Sequence, residues 1–257
     1  MIRIEKGDSP KSLADKNTEL VKAMSAEFDA HEAAYRTGGK KGKTFKFTGD
    51  YATDEVRDAL IICQHNKCCF SEAKFVGDYS NVEHFRPKGR VDPYPNGDSK
   101  YPGYYWLAYD WSNLFLCKAR INSSDKRNFF PLKYDKNRNK SHHDTNKEEP
   151  LFINCSEEDP RKFINYVEEE PKGIDDEGRG EFNITFFQLR HFDFTEARRE
   201  RLAFIKGMKD LIEIGIANGK TKEELKTYIE LLRTAMSPKA EFSSMAIDFL
   251  SGWPPLQ

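Results

Sequence analysis

The sequence has no hydrophobic run long enough to cross a membrane, and its few cysteines form no regular pattern. A membrane-spanning helix needs about 20 consecutive apolar residues, and the opening residues MIRIEKGDSPKSL contain no apolar core of a secretory signal. The cysteines are odd in number and irregularly spaced, at Cys63, Cys68, Cys69, Cys117 and Cys155. These absences argue against a disulfide framework and predict a cytoplasmic protein with reduced thiols.

Net charge is also nearly absent, because 41 lysines and arginines face 42 acidic residues. A chain with a net charge of −1 is not expected to search nucleic acid alone by bulk electrostatic attraction. The charges are unevenly distributed along the chain, however. Residues 83–140 hold twelve basic and six acidic residues, whereas residues 141–181 hold five basic and thirteen acidic ones. The first segment could therefore meet phosphate, and the second would repel it.

What the chain does contain is typical of a folded protein. Hydrophobic residues make up 38% of it, with 19 phenylalanines, 11 tyrosines and 3 tryptophans, which excludes the low-hydrophobicity class of disordered proteins. Residues 10–37 place apolar side chains at helical spacing before Gly38-Gly39, where the helix should stop. Thr53 can cap a second helix that ends near His65-Asn66.

The middle of the chain differs from both ends. Between residues 67 and 126, short aromatic and β-branched runs alternate with PKG, DPYPNGD and YPG turns, which predicts short strands and loops. Residues 135–181 are expected to form connecting loops and edge strands, and helical patterning returns over residues 194–250, with stops near Gly219 and Pro238. We therefore predict an α+β, mainly helical fold with three parts, at residues 1–66, 67–132 and 133–257.

Polar residues in this middle part have the spacing that one-metal phosphodiester hydrolysis requires. They are Glu83-His84 in NVEHFRPKGR, Asn113 in DWSNL and Asn122 in INSSDK. Adjacent residues on a strand point to opposite faces, so Glu83 and His84 can share one centre only where the strand bends. The nine residues from Asn113 to Asn122 suit a short loop and the first turn of a helix, whose N-terminus favours phosphate.

The string from Lys67 to Leu132 resembles HNH endonucleases, and most closely the PtuB-type nuclease subunits of Septu and retron-associated antiphage systems. The combination of VEHFRPK, YDWSNL and FPL carries the resemblance. IEKG, EEPLFINCSEEDP, RGEFNITFFQL and MSPKAEFSSMAIDFL extend it over nearly the whole chain. The resemblance implies an HNH ββα-metal unit at 67–132, embedded between N-terminal helices and a C-terminal helical region with a possible docking role.

The resemblance also implies roles for individual residues. His84 matches the general base, and Glu83 matches the acidic metal ligand that precedes it. Asn113 matches the residue that holds the histidine in its working orientation, and Asn122 matches the third motif position, which ligates the metal. Lys126 matches a basic residue suited to a phosphate oxygen. Both asparagines could instead be turn or cap residues, a common role for this residue type.

Elementary chemistry agrees with these roles. A hard cation such as Mg²⁺ or Mn²⁺ prefers oxygen ligands, here the carboxylate of Glu83 and the amide oxygen of Asn122. A neutral imidazole with a pKa of about 6.5 can take a proton from water at cellular pH. Arg86 or Lys126 could stabilise charge on the transition state. Glu83 could instead only pair with a basic residue, and both cations could be ordinary solvated side chains.

The chain departs from the HNH pattern at the cysteines. Many HNH proteins bind a structural zinc through two CxxC pairs, but here the first pair has Cys68 followed by Ser71, and the second pair lacks both cysteines. Because zinc needs four ligands, a structural zinc is not expected. Cys69 and Cys117 lie one residue from the expected positions, which leaves a shifted site open.

For two further features, a structural role is more common than a functional one. The pair His142-His143 lies in a polar loop, where solvated side chains are more common than metal or phosphate ligands. The aromatic run Tyr104-Tyr105-Trp106 is more often core than a platform for stacking bases.

The activity that the resemblance implies is hydrolysis of DNA or RNA by one subunit of a defence complex. The implied partners are a PtuA-type ATPase and, in retron forms, a reverse transcriptase with its RNA–DNA product. The alternative is a non-catalytic subunit that keeps the HNH scaffold only for docking. The type of nucleic acid and the cleavage site stay open, because no base-reading motif is visible.

Overall fold

Helices dominate both ends of the chain, as the apolar spacing predicts. The computed structural model describes residues 1–77 and 80–256. Two helices precede the middle part, α1 at Lys11–Thr37 and α2 at Asp54–Gln64. Four follow it, namely α3 at Arg179–Phe186, α4 at Phe192–Ala217, α5 at Lys226–Met236 and α6 at Ser243–Phe249. The prediction of a mainly helical α+β fold is therefore confirmed. Within the described residues, no helix is both long and apolar enough to cross a bilayer.

The predicted ends of the first two helices are confirmed in detail. α1 stops at Gly38, which adopts a φ of 56° that favours glycine and donates its N–H to the carbonyl of Ala34. The hydroxyl of Thr53 accepts the N–H of Val56 at the start of α2. α2 ends at His65, which adopts a left-handed conformation. Local side-chain chemistry thus sets both boundaries.

The middle part contains an antiparallel pair of strands followed by a short helical segment. β1 at Ser80–His84 pairs with β2 at Leu114–Lys118, so that His84 lies opposite Leu114. The helical segment after β2, Ile121–Lys126, is a single π-type turn rather than the regular helix expected for a ββα unit. The chain leaves it through Arg127 at a φ of 44° and then buries Phe130 completely in the core. The helical segment ends at Arg127 because a positive φ does not continue a right-handed helix.

The polar segment at 135–181 forms the edge hairpin that its composition predicts. β3 at Ile164–Val167 pairs antiparallel with β4 at Glu170–Gly173. Asp248 on α6 accepts the backbone N–H of Tyr166 at 2.9 Å and contacts Arg161, which ties the hairpin to the C-terminal helices.

Aromatic side chains form much of the core beneath β1 and β2. Phe85 and Tyr104 each contact Phe130 at 5.4 Å between ring centroids, and all three rings are buried. Tyr105 and Tyr109 are also buried. Tyr104 and Tyr105 of the aromatic run are therefore core residues, and the partly buried Trp106 packs against them.

Residues 89–103, between β1 and β2, form a long loop, here called the excursion. Its two ends meet at Gly89 and Gly103, here called the neck. Gly103 donates its N–H to the carbonyl of Gly89 at 3.0 Å, and Tyr104 donates to Pro87 at 2.8 Å. A Cβ on Gly103 would lie 2.5 Å from the Pro87 oxygen, so this close approach requires glycine. The tip of the excursion, residues 94–99, is exposed.

Candidate functional site

A cavity of about 410 Å³ opens beside the end of β1. Three of the predicted site residues, Glu83, His84 and Asn122, line this one cavity. Its remaining walls are Tyr51, Val82, Pro87, Lys88, Arg127 and Asn128. β1 ends at His84, where the chain turns, and this bend lets two adjacent strand residues reach the same space.

The imidazole of His84 is held in one orientation. Its Nε2 lies 2.9 Å from the carbonyl oxygen of Ala108, and the edge of its ring meets Tyr51 at 4.6 Å between centroids. A carbonyl can only accept a hydrogen bond, so we assign the proton to Nε2. Nδ1 therefore keeps its lone pair, and Lys88 Nζ lies 3.3 Å from it. Nδ1 is the basic atom of this site.

Burial sets the protonation state of His84. It lowers the pKa of the imidazole to about 3, and the nearby charge of Lys88 acts in the same direction. Because this pKa lies below that of the unfolded chain, neutral His84 favours folding above about pH 6.5, and this contribution is lost as the pH falls. The ring is therefore neutral at cellular pH and able to accept a proton, but a pKa of about 3 makes it a weaker base than an ordinary imidazole.

We expect the neutral His84 ring to take up no second proton between about pH 5 and pH 8. Burial keeps the charged form out of this range, whereas an ordinary histidine titrates within it. Two-dimensional NMR of the imidazole nitrogens, assigned by comparison with His84→Gln, measures this directly. A midpoint near pH 6.5 for the His84 signals would contradict the burial-based assignment.

Glu83 forms a buried ion pair at the back of the cavity. Its Oε1 lies 3.1 Å from Nζ of Lys126, with 7% and 0% of the two side chains exposed. Burial raises the pKa of Glu83, and the Lys126 ammonium opposes that rise. Lys126 also donates to the carbonyl of His84 at 3.2 Å. In the structure Lys126 contacts protein oxygens, and its contact with substrate phosphate stays a prediction.

Asn113 holds the backbone around His84, because its side-chain amide bonds to main-chain groups on both sides of the imidazole. Its Oδ1 accepts the N–H of Arg86 at 2.7 Å, and its Nδ2 donates to the carbonyls of Arg86 and Leu107 at 3.0 Å each. Leu107 immediately precedes Ala108, the residue that holds the imidazole. Asn113 thus joins the segment that carries His84 to the segment that orients it.

Arg86 is turned away from this site. Its Nε lies 2.9 Å from Glu148 Oε2, and it lines a different cavity whose walls include several carboxylates. Its contact with substrate phosphate stays a prediction.

Sequence reasoning missed the basic residues that do line the cavity, Lys88 and Arg127. Nζ of Lys88 lies 4.3 Å from the centre of the Tyr51 ring, and burial lowers the pKa of Lys88. A usable signal existed, since Lys88 follows His84 by four residues in VEHFRPK and Pro87 turns the chain between them. Tyr51 precedes α2, and no motif marks it.

The oxygen donors on this cavity fit a hard divalent cation. Glu83 offers a carboxylate whose ion pair uses Oε1, and Asn122 offers an amide on the π-type turn opposite. Carboxylate and amide oxygens are the donors that Mg²⁺ and Mn²⁺ prefer. The residues present therefore suit the metal that the motif implies.

The cysteines lie together, away from this cavity. Cys68 Sγ and Cys117 Sγ are 3.9 Å apart, and Cys155 donates to the carbonyl of Cys69 at 3.3 Å. All four side chains are buried. The expectation that this cluster holds little zinc stays a prediction.

Comparison with known proteins agrees with the motif-based resemblance. No protein-family model matches the chain. Over 203 residues the chain is 34% identical to the Septu protein PtuB of Bacillus mycoides (strain KBAB4). The matched region covers 77% of this chain and 66% of that protein, which is just under two thirds of the relative's length. The predicted resemblance to PtuB is confirmed.

Proposed function

We propose that this chain, a relative of the Septu protein PtuB, is a metal-dependent nuclease of an antiphage defence complex. It hydrolyses phosphodiester bonds of DNA or RNA with HNH-type chemistry. The observation that carries the proposal is the shared cavity, where the neutral imidazole of His84 stands beside the oxygen donors Glu83 and Asn122.

Each residue of the cavity has a part in this chemistry. Glu83 and Asn122 would hold the cation, which when bound stabilises negative charge on the phosphate. Nδ1 of His84 takes a proton from the attacking water, and the Nε2 hydrogen bond to Ala108 keeps the ring aligned as it becomes charged. Lys88 is placed to leave Nδ1 and donate to a phosphate oxygen.

Asn122→Ala is expected to weaken metal binding rather than remove the base. Cleavage should fall at limiting metal and recover in part when Mg²⁺ or Mn²⁺ is in excess, because Asn122 acts through the cation. Cleavage rates measured across a metal titration test this. Asn128→Ala, at another wall of the same cavity, is the matched control and should keep the wild-type metal dependence. A loss of activity in Asn122→Ala that no metal concentration relieves would contradict the ligand role.

A partner supplies the affinity for nucleic acid in this proposal. The net charge of −1 gives the chain little attraction for phosphate, and a PtuA-type ATPase would provide it. Apolar side chains are exposed on α4 and α5, at Phe204, Leu211, Ile214, Ile216, Tyr228 and Leu231. Such a surface is typical of a protein interface. Co-purification of the chain with a PtuA-type ATPase, and loss of the complex in Leu211→Asp, would test this part.

A further inference from the structure

A second group of metal-binding side chains lies between α1 and the loop at 139–146. Asp29 on α1 faces His142 and His143 on the loop. One potential ligand atom from each residue lies within 4.8 Å of the others. None of the three lines the cavity that holds His84, so this group is separate from the proposed nuclease site.

The distances within the group suit a small transition-metal ion. His143 Nε2 lies 2.7 Å from Asp29 Oδ1, and His142 Nε2 lies 3.7 Å from Asp29 Oδ2. Ligand atoms bound tetrahedrally at about 2.0–2.2 Å are separated by about 3.3–3.6 Å, so the hydrogen bond between His143 and Asp29 would lengthen by less than about 1 Å when an ion enters. Two imidazoles and one carboxylate are a donor set for Zn²⁺ and its neighbours.

Tyr105 orients the imidazole of His142 by contacting the ring nitrogen that does not face Asp29. Its hydroxyl contacts Nδ1 of His142, which leaves Nε2 directed at Asp29. The Tyr105 ring is fully buried and stacks on Phe28 and Phe45, with centroids 5.3 and 4.5 Å away. Histidine ligands commonly hold their second nitrogen against such a fixed partner. This arrangement is built for coordination through Nε2.

Hydrogen bonds within the loop fix the conformation of the segment that carries both histidines. The Asn139 side chain bonds the backbone of Asn146 in both directions, at 2.8 and 3.1 Å, and closes the loop. Asp144 accepts the N–H groups of Lys140 and Ser141. These hydrogen bonds hold His142 and His143, two of the three possible ligands, in position on the loop.

We propose that Asp29, His142 and His143 bind one divalent transition-metal ion of the Zn²⁺ class, which fastens the 139–146 loop to α1. Three protein ligands leave the remaining coordination positions to water, since Asp29 and His143 are partly exposed. The site does not depend on the proposed nuclease function.

Cobalt binding by the full chain tests the proposal. The protein is stripped with a chelator and titrated with Co²⁺, whose visible absorption reports a four- or five-coordinate site, and Zn²⁺ is then added as a competitor. His142→Ala should weaken Co²⁺ binding by at least about tenfold, and Tyr105→Phe by about tenfold through loss of orientation alone. His31→Ala removes a nearby histidine of the same helix that is outside the group, and it should bind as wild type.

Several outcomes would overturn the proposal. One is equal Co²⁺ affinity in the wild type and His142→Ala. Another is a spectrum dominated by the intense near-ultraviolet band of thiolate ligands, which would assign the ion to the cysteines. His143→Gln provides a second variant if His142→Ala fails to fold, because the His143 side chain is 62% exposed. Its failure to weaken binding would count equally against the site.

Discussion

His84→Gln is expected to reduce phosphodiester cleavage by about 10²–10⁴-fold, the usual contribution of a general base. Glutamine keeps an N–H donor for the Ala108 carbonyl but cannot take a proton from water. The loss should therefore appear in the rate at saturating metal and substrate, and excess Mg²⁺ should not restore it. Single-turnover cleavage of a labelled nucleic acid, with the complex assembled, measures the effect.

Controls for this prediction follow from the contacts of the ring. The Nε2 atom of His84 makes a buried hydrogen bond to the Ala108 carbonyl, so the ring also contributes to stability. His84→Ala leaves the Ala108 carbonyl unpaired and should cost about 1–3 kcal/mol of stability, so glutamine is the cleaner substitution. His31→Ala should cleave normally. Wild-type cleavage by His84→Gln at limiting metal would place the nuclease centre elsewhere and favour the docking-subunit alternative.

Lys126→Met is expected to destabilise the fold by about 3–5 kcal/mol, because it leaves the buried carboxylate of Glu83 without a counter-charge. The lysine side chain is fully buried, so solvent does not screen this loss. Chemical denaturation monitored by circular dichroism gives the change in the free energy of unfolding.

A double variant separates the ion pair from the phosphate contact that the sequence suggested for Lys126. Glu83→Gln combined with Lys126→Met removes both charges and should recover most of the lost stability, while cleavage stays low because a metal ligand is gone. If Lys126→Met instead kept wild-type stability and changed only the salt dependence of substrate binding, Lys126 would be a phosphate ligand after all.

Local patterns were sufficient to predict the helices. Apolar spacing and stop signals located α1 and α2, and the cap at Thr53 forms the hydrogen bond that its residue type suggests. The short turn at Ile121–Lys126 could not be predicted this way. It ends where Arg127 adopts a positive φ, which no local sequence signal marks because such a φ is uncommon for residues other than glycine.

The candidate site was predictable in its residue types but less so in its contacts. The motif pointed to Glu83, His84 and Asn122, and all three line one cavity. The partners of the cations could not be inferred, because a sequence shows the charge of Arg86 but not that Glu148, 62 residues away, will meet it. The contribution of Tyr51 could not be inferred either, because this residue lies before α2, far along the chain from His84, and only the fold brings it to the cavity.

The neck at Gly89 and Gly103 has a practical consequence for protein engineering. Because backbone hydrogen bonds close the excursion at its base, the exposed tip at 94–99 is separated from the segments that hold the imidazole. Loop-closure entropy rises only slowly with length. A peptide tag or a fluorescent reporter inserted at this tip would therefore follow the protein in a living cell while the chemistry at the end of β1 continues undisturbed.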